Sequence, residues 1–334
     1  MPVKKQRPIR SGSSIHHVMK RPEFREHRST FSILPGAFEP IINRLSFQTL
    51  ARLAGGAWNC ENMADGLNYL SEKTREAPCF YEIWPEEEMS KDPAKRECGL
   101  TVFRGEKGGR FVLICPGGAF LGVASLVEGF PVAREFNRAG YTAFVLKYRV
   151  GKDASFPHPI EDAAAALRFI FRHAEEFGID TEGYAVAGFS AGGYVAAGFA
   201  TEAFGFAQYG LPRPGSVILA YPLITLGEFT HKGCRNELFG KKQAKDKKRM
   251  QEYSVEKVLT DNYPPTFVWQ CTDDSTVPFQ NSKLLVEALD RHNIPCRYET
   301  FESDAHGWGV GIGTPAEDWI RRAIGFMEEQ GVRP

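Results

Sequence analysis

From residue 111 onward, short apolar runs alternate along the chain with longer segments whose apolar positions recur at helical spacing. Apolar runs of this length are typical of strands buried on both faces of a sheet. We predict strands over residues 111–115, 142–147, 184–187, 216–221, 266–271 and 296–301. We predict helices over residues 126–137, 159–177, 194–200, 278–292 and 315–329. This alternation predicts an α/β fold in which helices cover both faces of a mostly parallel central sheet.

Two further strands are predicted ahead of this region, over residues 78–84 and 100–104. The acidic run 86–88 between them is interpreted as a solvated turn. A longer break in the alternation falls at residues 223–262, which carry a basic run at 241–249 and no strong apolar period. We interpret this segment as a lid-like insertion above the sheet, with its charges on a solvated helix face.

The first 77 residues follow a different pattern and are interpreted as an N-terminal extension to a main domain of residues 78–334. Residues 1–30 are rich in Lys, Arg, His and Ser, a composition that predicts a poorly ordered leader. The spacing of apolar residues then predicts a helix over 38–53 and a weaker one over 63–70. The pattern leaves three roles open for these helices: a cap over a substrate pocket, a contact in a homo-oligomer, or an extra helical layer on the core.

Composition and charge limit the classes of partner. Lys plus Arg and Asp plus Glu number 41 each, so the overall charge gives no electrostatic basis for nucleic-acid binding. The seven cysteines are scattered and no pair has metal-ligand spacing, so neither a disulfide framework nor a zinc site is expected. The N-terminus has no apolar signal region, and no apolar run has the length of a membrane span. We therefore expect a cytoplasmic protein with no metal, no membrane partner and no nucleic-acid partner.

One turn in this pattern carries a candidate nucleophile. The apolar run 184–187 is followed by Gly188-Phe189-Ser190-Ala191-Gly192 and then by a predicted helix. A strand, a sharp glycine-flanked turn that carries a serine, and a helix are together the context of a nucleophile elbow. Such a turn is strained, so the positions beside the serine must lack bulk. The alternative is a glycine-rich turn in which Ser190 only caps the helix.

Three more predicted strands end in residues with catalytic potential. Asp273 and Asp274 follow the strand at 266–271, and His306 follows the last strand. Two glycines, in the run Pro-Gly-Gly, follow the strand at 111–115. Because ligands bind at the carboxyl ends of strands in open parallel sheets, we expect these residues to lie close to the elbow serine. The chain order Ser, Asp, His is the order of the triad in α/β hydrolases.

Each of these residue types has a role in acyl transfer. A serine hydroxyl needs a base within hydrogen-bond distance, and histidine suits that task because it titrates near neutral pH. A carboxylate fixes the imidazole tautomer and stabilises the imidazolium that forms. Backbone N–H groups at Gly117, Gly118 and Ala191 can donate to the oxyanion, and each such donor contributes on the order of 3 kcal/mol. This chemistry requires no metal and no organic cofactor.

The run Cys115-Pro116-Gly117-Gly118-Ala119-Phe120 and the segments 125–132, 140–144 and 148–150 resemble a known family. They are similar to the α/β-hydrolase serine esterases of the acetyl-xylan esterase and feruloyl-esterase-like (BD-FAE-like) group. A more distant similarity is to the hormone-sensitive-lipase-type carboxylesterases. The sequence departs from the lipase-type loop in having Pro116 in place of its histidine and Ala119 in place of its third glycine.

The resemblance implies an α/β-hydrolase fold, a serine nucleophile, a histidine base and backbone oxyanion donors. In this sequence those residues are Ser190, His306, Gly117, Gly118 and Ala191. The family's acid usually stands three residues before a valine, which selects Asp274 here, and Asp273 is the alternative.

The function that the resemblance implies is hydrolysis of short acyl esters, above all acetyl esters, on a sugar or oligosaccharide. Phe120 and Trp308 are candidate walls of the substrate pocket, and core packing is an equal alternative for both. Two other functions stay open. The same residues could cleave an amide, as in a small peptidase or an arylformamidase-like enzyme, or the fold could bind a small ligand without turnover.

Overall fold

The computed structural model describes residues 7–334, and within them eight strands form one sheet. In chain order the strands are β1 Phe80–Glu82, β2 Gly99–Phe103, β3 Phe111–Cys115, β4 Thr142–Lys147, β5 Ala185–Phe189, β6 Ser216–Ala220, β7 Thr266–Cys271 and β8 Cys296–Phe301. Across the sheet they lie in the order β1, β2, β4, β3, β5, β6, β7, β8. β1 pairs antiparallel with β2 and β2 pairs antiparallel with β4, whereas every later pairing is parallel. The prediction of a mostly parallel sheet is confirmed.

Helices connect these strands and precede them. The α-helices are α1 Ile15–Met19, α2 Glu39–Ile42, α3 Phe47–Leu53, α4 Cys60–Lys73, α5 Glu86–Lys91, α6 Phe130–Arg138, α7 His158–Arg172, α8 Ala174–Phe177, α9 Ser190–Phe199, α10 Lys232–Gln243, α11 Lys247–Glu252, α12 Val255–Val258, α13 Gln280–Arg291 and α14 Trp319–Glu329. Short 3₁₀ turns lie at Arg28–Phe31, Pro93–Glu97 and Gly151–Asp153. A π-helical turn at Ser125–Gly129 runs directly into α6.

Each face of the sheet has its own apolar core, because successive side chains of a strand point to opposite faces. In β3, Leu113 joins the core covered by α7, α9 and α13, while Val112 and Ile114 join the core covered by α4, α6 and α14. All five residues of β3 are buried. Burial on both faces explains why this strand has a continuous apolar sequence rather than an alternating one.

The N-terminal extension packs on the second of these cores, in contrast to the poorly ordered leader predicted for residues 1–30. Ile15 and Val18 of α1 are buried together with Phe24, in the same cluster as Phe136 of α6. These apolar residues are isolated among basic and polar ones, so the mean composition of the segment hides them. The part of this prediction that falls on residues 1–6 lies outside the described residues.

Two helices begin at residues other than those predicted, one at a serine cap and one at an acidic run. The helix expected over 38–53 is divided into α2 and α3, because Ser46 caps α3 by accepting the N–H of Thr49 at 3.1 Å. Phe38 and Ile41 are 68% and 60% exposed, so their helical spacing does not mark a core face. The acidic run expected to be a turn is the first turn of α5, where carboxylates interact favourably with the helix dipole.

The segment 223–262 forms α10, α11 and α12. Leu238 and Phe239 of α10 and Met250 of α11 are buried in the core that contains α9, so the segment packs on the main domain. The lysines of its basic run are exposed, as predicted. Among the described residues 7–334, no helix has both the length and the apolar character needed to cross a membrane.

Candidate active site

Ser190 is the first residue of α9 and follows β5 without a connecting loop. Its φ is +49°, a left-handed conformation that costs a non-glycine residue about 1–3 kcal/mol. The turn is tight because Gly192 packs against the carbonyl oxygens of Cys115 and Pro116, where a Cβ has no space. The local sequence thus holds the serine hydroxyl at the carboxyl edge of the sheet and at the N-terminus of a helix.

Three side chains from separate strand ends form a continuous chain of hydrogen bonds at this edge. The Nε2 atom of His306 lies 2.8 Å from Ser190 Oγ, and its Nδ1 atom lies 2.7 Å from Asp274 Oδ2. Since a carboxylate only accepts hydrogen bonds, Nδ1 carries the proton and Nε2 is left to accept from the serine hydroxyl. This is the arrangement that a serine nucleophile and its base require.

The carboxyl group of Asp274 is buried and held by four donors. Its Oδ1 atom accepts the backbone N–H groups of Thr276 and Val277, both at 2.9 Å. Its Oδ2 atom accepts Nε2 of Gln270 at 3.2 Å in addition to the imidazole. Asp273, the alternative acid, is exposed and accepts the hydroxyl of Thr272. The structure therefore brings Asp274, and not Asp273, to the histidine.

The candidate oxyanion donors lie on two segments, the loop that follows β3 and the first turn of α9. The N–H of Ala191 lies in the first turn of α9, where backbone donors have no partner within the helix. In the part of the chain that the structure describes, the N–H groups of Gly118 and Ala119 have no acceptor. Ala119 was not among the residues expected from the sequence, because only the two glycines and Ala191 matched the family pattern.

The predicted role of Gly117 as an oxyanion donor requires a correction. Its N–H donates to Oε2 of Glu128 at 2.7 Å, so this donor is already engaged by a buried carboxyl group. A donor that is held by a carboxylate is not free to stabilise an oxyanion. The role that the resemblance implied for Gly117 is therefore overturned, and the backbone donors that remain are those of Gly118, Ala119 and Ala191.

The two aromatic residues expected as pocket walls lie in the core. Phe120 is fully buried and packs edge-to-face against Tyr148, with ring centroids 6.2 Å apart. Trp308 is nearly buried and stacks on Trp269, with centroids 6.1 Å apart. The sequence left two interpretations open for these residues, a pocket wall or core packing. Core packing is the one that agrees with the burial of Phe120 and, almost as completely, of Trp308. Through its contact with Trp269, Trp308 anchors the loop between β8 and α14, which also carries His306, to the core.

The N-terminal extension borders the site at two points that sequence reasoning missed. The backbone of Ile33 packs directly against Gly122, in the loop that follows β3. The indole of Trp58 lies beside Gly307, and its Nε1 atom would be 3.2 Å from a Cβ at that position. Gly307 directly follows the histidine of the site. The extension thus forms a layer on the core, and its Trp58 lies beside the loop that carries His306.

His231, at the start of α10, brings the segment 223–262 close to the same residues. Its Nδ1 atom accepts the backbone N–H of Cys234 at 3.1 Å, which leaves Nε2 to carry the proton of the neutral ring. Burial lowers the pKa of His231, and His306 in its protonated form lowers it further, while Asp274 opposes the shift. A neutral His231 is therefore a hydrogen-bond donor near the site, and no sequence pattern pointed to it.

This geometry agrees with the comparison to known families. Residues 104–289 match the family model described as BD-FAE, which is more than half of the chain. The chain belongs to the BD-FAE family. In this BD-FAE protein the matched region contains Ser190 and Asp274 and ends ahead of His306.

Two curated relatives are similar to this BD-FAE protein in sequence. Endo-1,4-beta-xylanase B of Butyrivibrio fibrisolvens is 34% identical over 231 residues, which are 66% of this chain and 34% of the relative. Acetylxylan esterase of Xylanibacter ruminicola is 27% identical over 225 residues, which are 65% of this chain and 45% of the relative. The chain thus spans less than half the length of either relative.

Solved structures of esterases are also similar to this BD-FAE protein. The acetyl ester-xyloside bifunctional hydrolase from Caldicellulosiruptor lactoaceticus has a TM-score of 0.68 at 29% identity, covering 76% of this chain and 97% of its own. A carboxylesterase from Lactobacillus plantarum has a TM-score of 0.62 at 26% identity, covering 71% and 94%. The predicted α/β-hydrolase fold is confirmed.

Proposed function

We propose that this protein is a serine esterase that hydrolyses short-chain acyl esters, chiefly acetyl esters, of a sugar or oligosaccharide. The observation that carries the proposal is the unbroken hydrogen-bond chain from Ser190 through His306 to Asp274, with distances of 2.8 and 2.7 Å. This hydrogen-bond chain supports the proposal because acyl transfer needs a nucleophile, a base and an acid connected in this order. The curated relatives and solved structures support the substrate class.

In the acylation step, Oγ of Ser190 attacks the ester carbonyl carbon while Nε2 of His306 takes the hydroxyl proton. Asp274 stabilises the imidazolium, and backbone N–H groups of Gly118, Ala119 and Ala191 donate to the oxyanion. The tetrahedral intermediate collapses as the bond from carbon to the sugar oxygen breaks. The proton on Nε2 passes to that oxygen, so the sugar leaves as an alcohol and the acyl group stays on the serine.

In the deacylation step, a water molecule attacks the acyl carbonyl and gives a proton to Nε2 of His306. The same backbone donors stabilise the second oxyanion. The bond to Ser190 Oγ breaks, the imidazolium returns its proton to the serine, and the carboxylic acid leaves. The enzyme regains its starting state without a cofactor.

The acetyl and sugar parts of the proposal are supported by the relatives. One curated relative is an acetylxylan esterase, and one similar structure is an acetyl ester-xyloside hydrolase. In addition, the half-buried indole of Trp58 lies beside Gly307, next to the base, and is an aromatic surface of the kind that contacts the apolar face of a ring.

A substrate panel tests the proposal. Acetylated xylo-oligosaccharides, 4-nitrophenyl acetate, butyrate and octanoate, an aminoacyl 4-nitroanilide and an N-formyl aryl amide would be compared by kcat/KM. We expect turnover of the acetyl esters and a decline in kcat/KM from acetate to octanoate. Turnover of the amides alone would make this a small peptidase or an arylformamidase-like enzyme. Absence of all turnover, with retained ligand binding, would instead indicate a receptor.

Replacement of Trp58 tests whether the N-terminal extension faces the sugar. We expect Trp58→Ala to raise KM for acetylated xylo-oligosaccharides by about 3- to 10-fold, because an aromatic contact contributes about 0.5–1.5 kcal/mol. KM for 4-nitrophenyl acetate, which has no sugar, should change by less than about twofold on the same basis. Leu53→Ala, at an exposed position in the same extension, is the matched control. Equal changes for both substrates would contradict a sugar contact.

A further inference from the structure

A buried carboxyl group lies directly behind the loop that follows β3. Glu128, in the π-helical turn Ser125–Gly129, is 3% exposed. Its Oε2 atom accepts the N–H of Gly117 at 2.7 Å, and its Oε1 atom accepts the hydroxyl of Tyr221 at 2.9 Å. Burial raises the pKa of Glu128, while His306 in its protonated form and the two donors act in the opposite direction. Burying a carboxyl group costs free energy unless both of its oxygens accept hydrogen bonds, and both oxygens of Glu128 do so.

Tyr221 extends this network to the loop that carries the base. It stands directly after β6 with a φ of +40°, an unusual conformation for an aromatic residue. Its hydroxyl oxygen accepts the N–H of Gly309 at 3.0 Å, three residues beyond the catalytic histidine. Its ring also packs against His306, with centroids 4.7 Å apart and an angle of 64° between the rings. One side chain therefore contacts both the imidazole and the loop that supports it.

At its other end the network reaches the nucleophile. A Cβ at Gly117 would lie 2.7 Å from Ser190 Cβ, 2.8 Å from the Phe189 carbonyl oxygen and 2.8 Å from Glu128 Oε2. Gly117 is therefore wedged between the elbow and the buried carboxyl group. Any displacement of this glycine moves the adjacent donors of Gly118 and Ala119 relative to the serine.

We propose that Glu128 and Tyr221 are positioning residues that hold two loops in one fixed relation to Ser190. These are the oxyanion loop, residues 116–124 after β3, and the histidine loop, residues 302–318 between β8 and α14. The hydrogen bonds run from Gly117 through Glu128 and Tyr221 to Gly309 and so join the two loops below the reacting atoms. A carboxylate suits the central position because its two oxygens accept from Gly117 and from Tyr221 at once, whereas a neutral amide has one acceptor oxygen. The inference deepens the proposed esterase function and rests on it.

The test compares Glu128→Gln, Tyr221→Phe and the double variant with the unmodified protein. With 4-nitrophenyl acetate we expect each single replacement to lower kcat by about 10- to 100-fold, because small misplacements of reacting groups have effects of this size. KM should change by less than about threefold, since neither side chain contacts the substrate. The double variant should lose little more than the single ones, because both changes break the same connection.

Glu256→Gln is the matched control, because Glu256 in α12 is also a buried glutamate whose pKa is raised by burial. We expect it to leave kcat unchanged. Thermal unfolding of each variant shows whether it is folded at the assay temperature, and Tyr221→Phe, which keeps the ring, is informative if Glu128→Gln does not fold. Unchanged kcat, an increase in KM alone, or multiplicative effects in the double variant would overturn the inference. Absence of turnover in the unmodified protein would instead remove the proposed function.

Discussion

Ser190→Ala is expected to lower kcat/KM for 4-nitrophenyl acetate by about 10⁵- to 10⁶-fold. The hydroxyl of Ser190 is the group that His306 Nε2 contacts at 2.8 Å, so its removal eliminates the acyl-enzyme and not only a favourable contact. The remaining rate should still exceed that of the uncatalysed reaction by about 10³- to 10⁴-fold, because the backbone donors and the binding site remain. Stopped assays with high enzyme concentration would measure this residual rate.

Labelling with a serine-directed phosphonate gives an independent measurement of the same prediction. Intact mass should show one adduct on the unmodified protein, located at Ser190 by peptide mapping, and none on Ser190→Ala. Ser275→Ala is the matched control, because Ser275 is an exposed serine in the loop of Asp274 and should leave both labelling and turnover unchanged. Near-normal activity in Ser190→Ala would eliminate the mechanism.

The parts of the fold predicted well from sequence are those in which local pattern and burial coincide. β3, β4 and β7 have the predicted bounds, because buried strands of a parallel sheet are largely apolar runs between polar turns. β8 also has the predicted bounds, although it is a half-buried edge strand that mixes apolar and polar residues. The extension was predicted poorly for the opposite reason. Its burial depends on single residues such as Ile15 and Phe24, and Phe24 packs on Phe80 of β1, which is distant in sequence.

Predictions about the site also fall into two groups, those on side chains and those on backbone donors. Side chains at strand ends were predictable, because the order of Ser, Asp and His and the direction of a parallel sheet place them at one edge. The state of a backbone donor was not predictable, since the N–H of Gly117 is taken by Glu128 through folding of the turn after it. Two signals could have pointed to this network: a lone acid in the apolar run 123–133, and a tyrosine directly at the end of a strand, Tyr221.

The second prediction with a large expected effect concerns the acid that pairs with His306. The sequence alone left two neighbouring residues, Asp273 and Asp274, as candidates for it. We expect Asp274→Asn to lower kcat by about 10⁴-fold and Asp273→Asn to change it by less than about threefold. Asp274 Oδ1 accepts two backbone N–H groups, so the amide oxygen of an asparagine would take that position. Its NH₂ group would then face Nδ1 of His306. That donor favours the imidazole tautomer with its proton on Nε2, which cannot accept the proton of Ser190.

Steady-state assays of the two asparagine variants on the same acetyl ester measure this difference. Asp273→Asn is the matched control, because it makes the same chemical change at an exposed carboxylate one residue away. KM should be nearly equal in all three proteins, since the acid does not contact the substrate, and folding should persist because asparagine has the same shape as aspartate. A large loss in Asp273→Asn with little loss in Asp274→Asn would mean that the histidine loop takes a different arrangement during catalysis. Equal, small losses in both variants would mean that orientation of His306 depends mainly on its contact with Tyr221 and on the histidine loop itself.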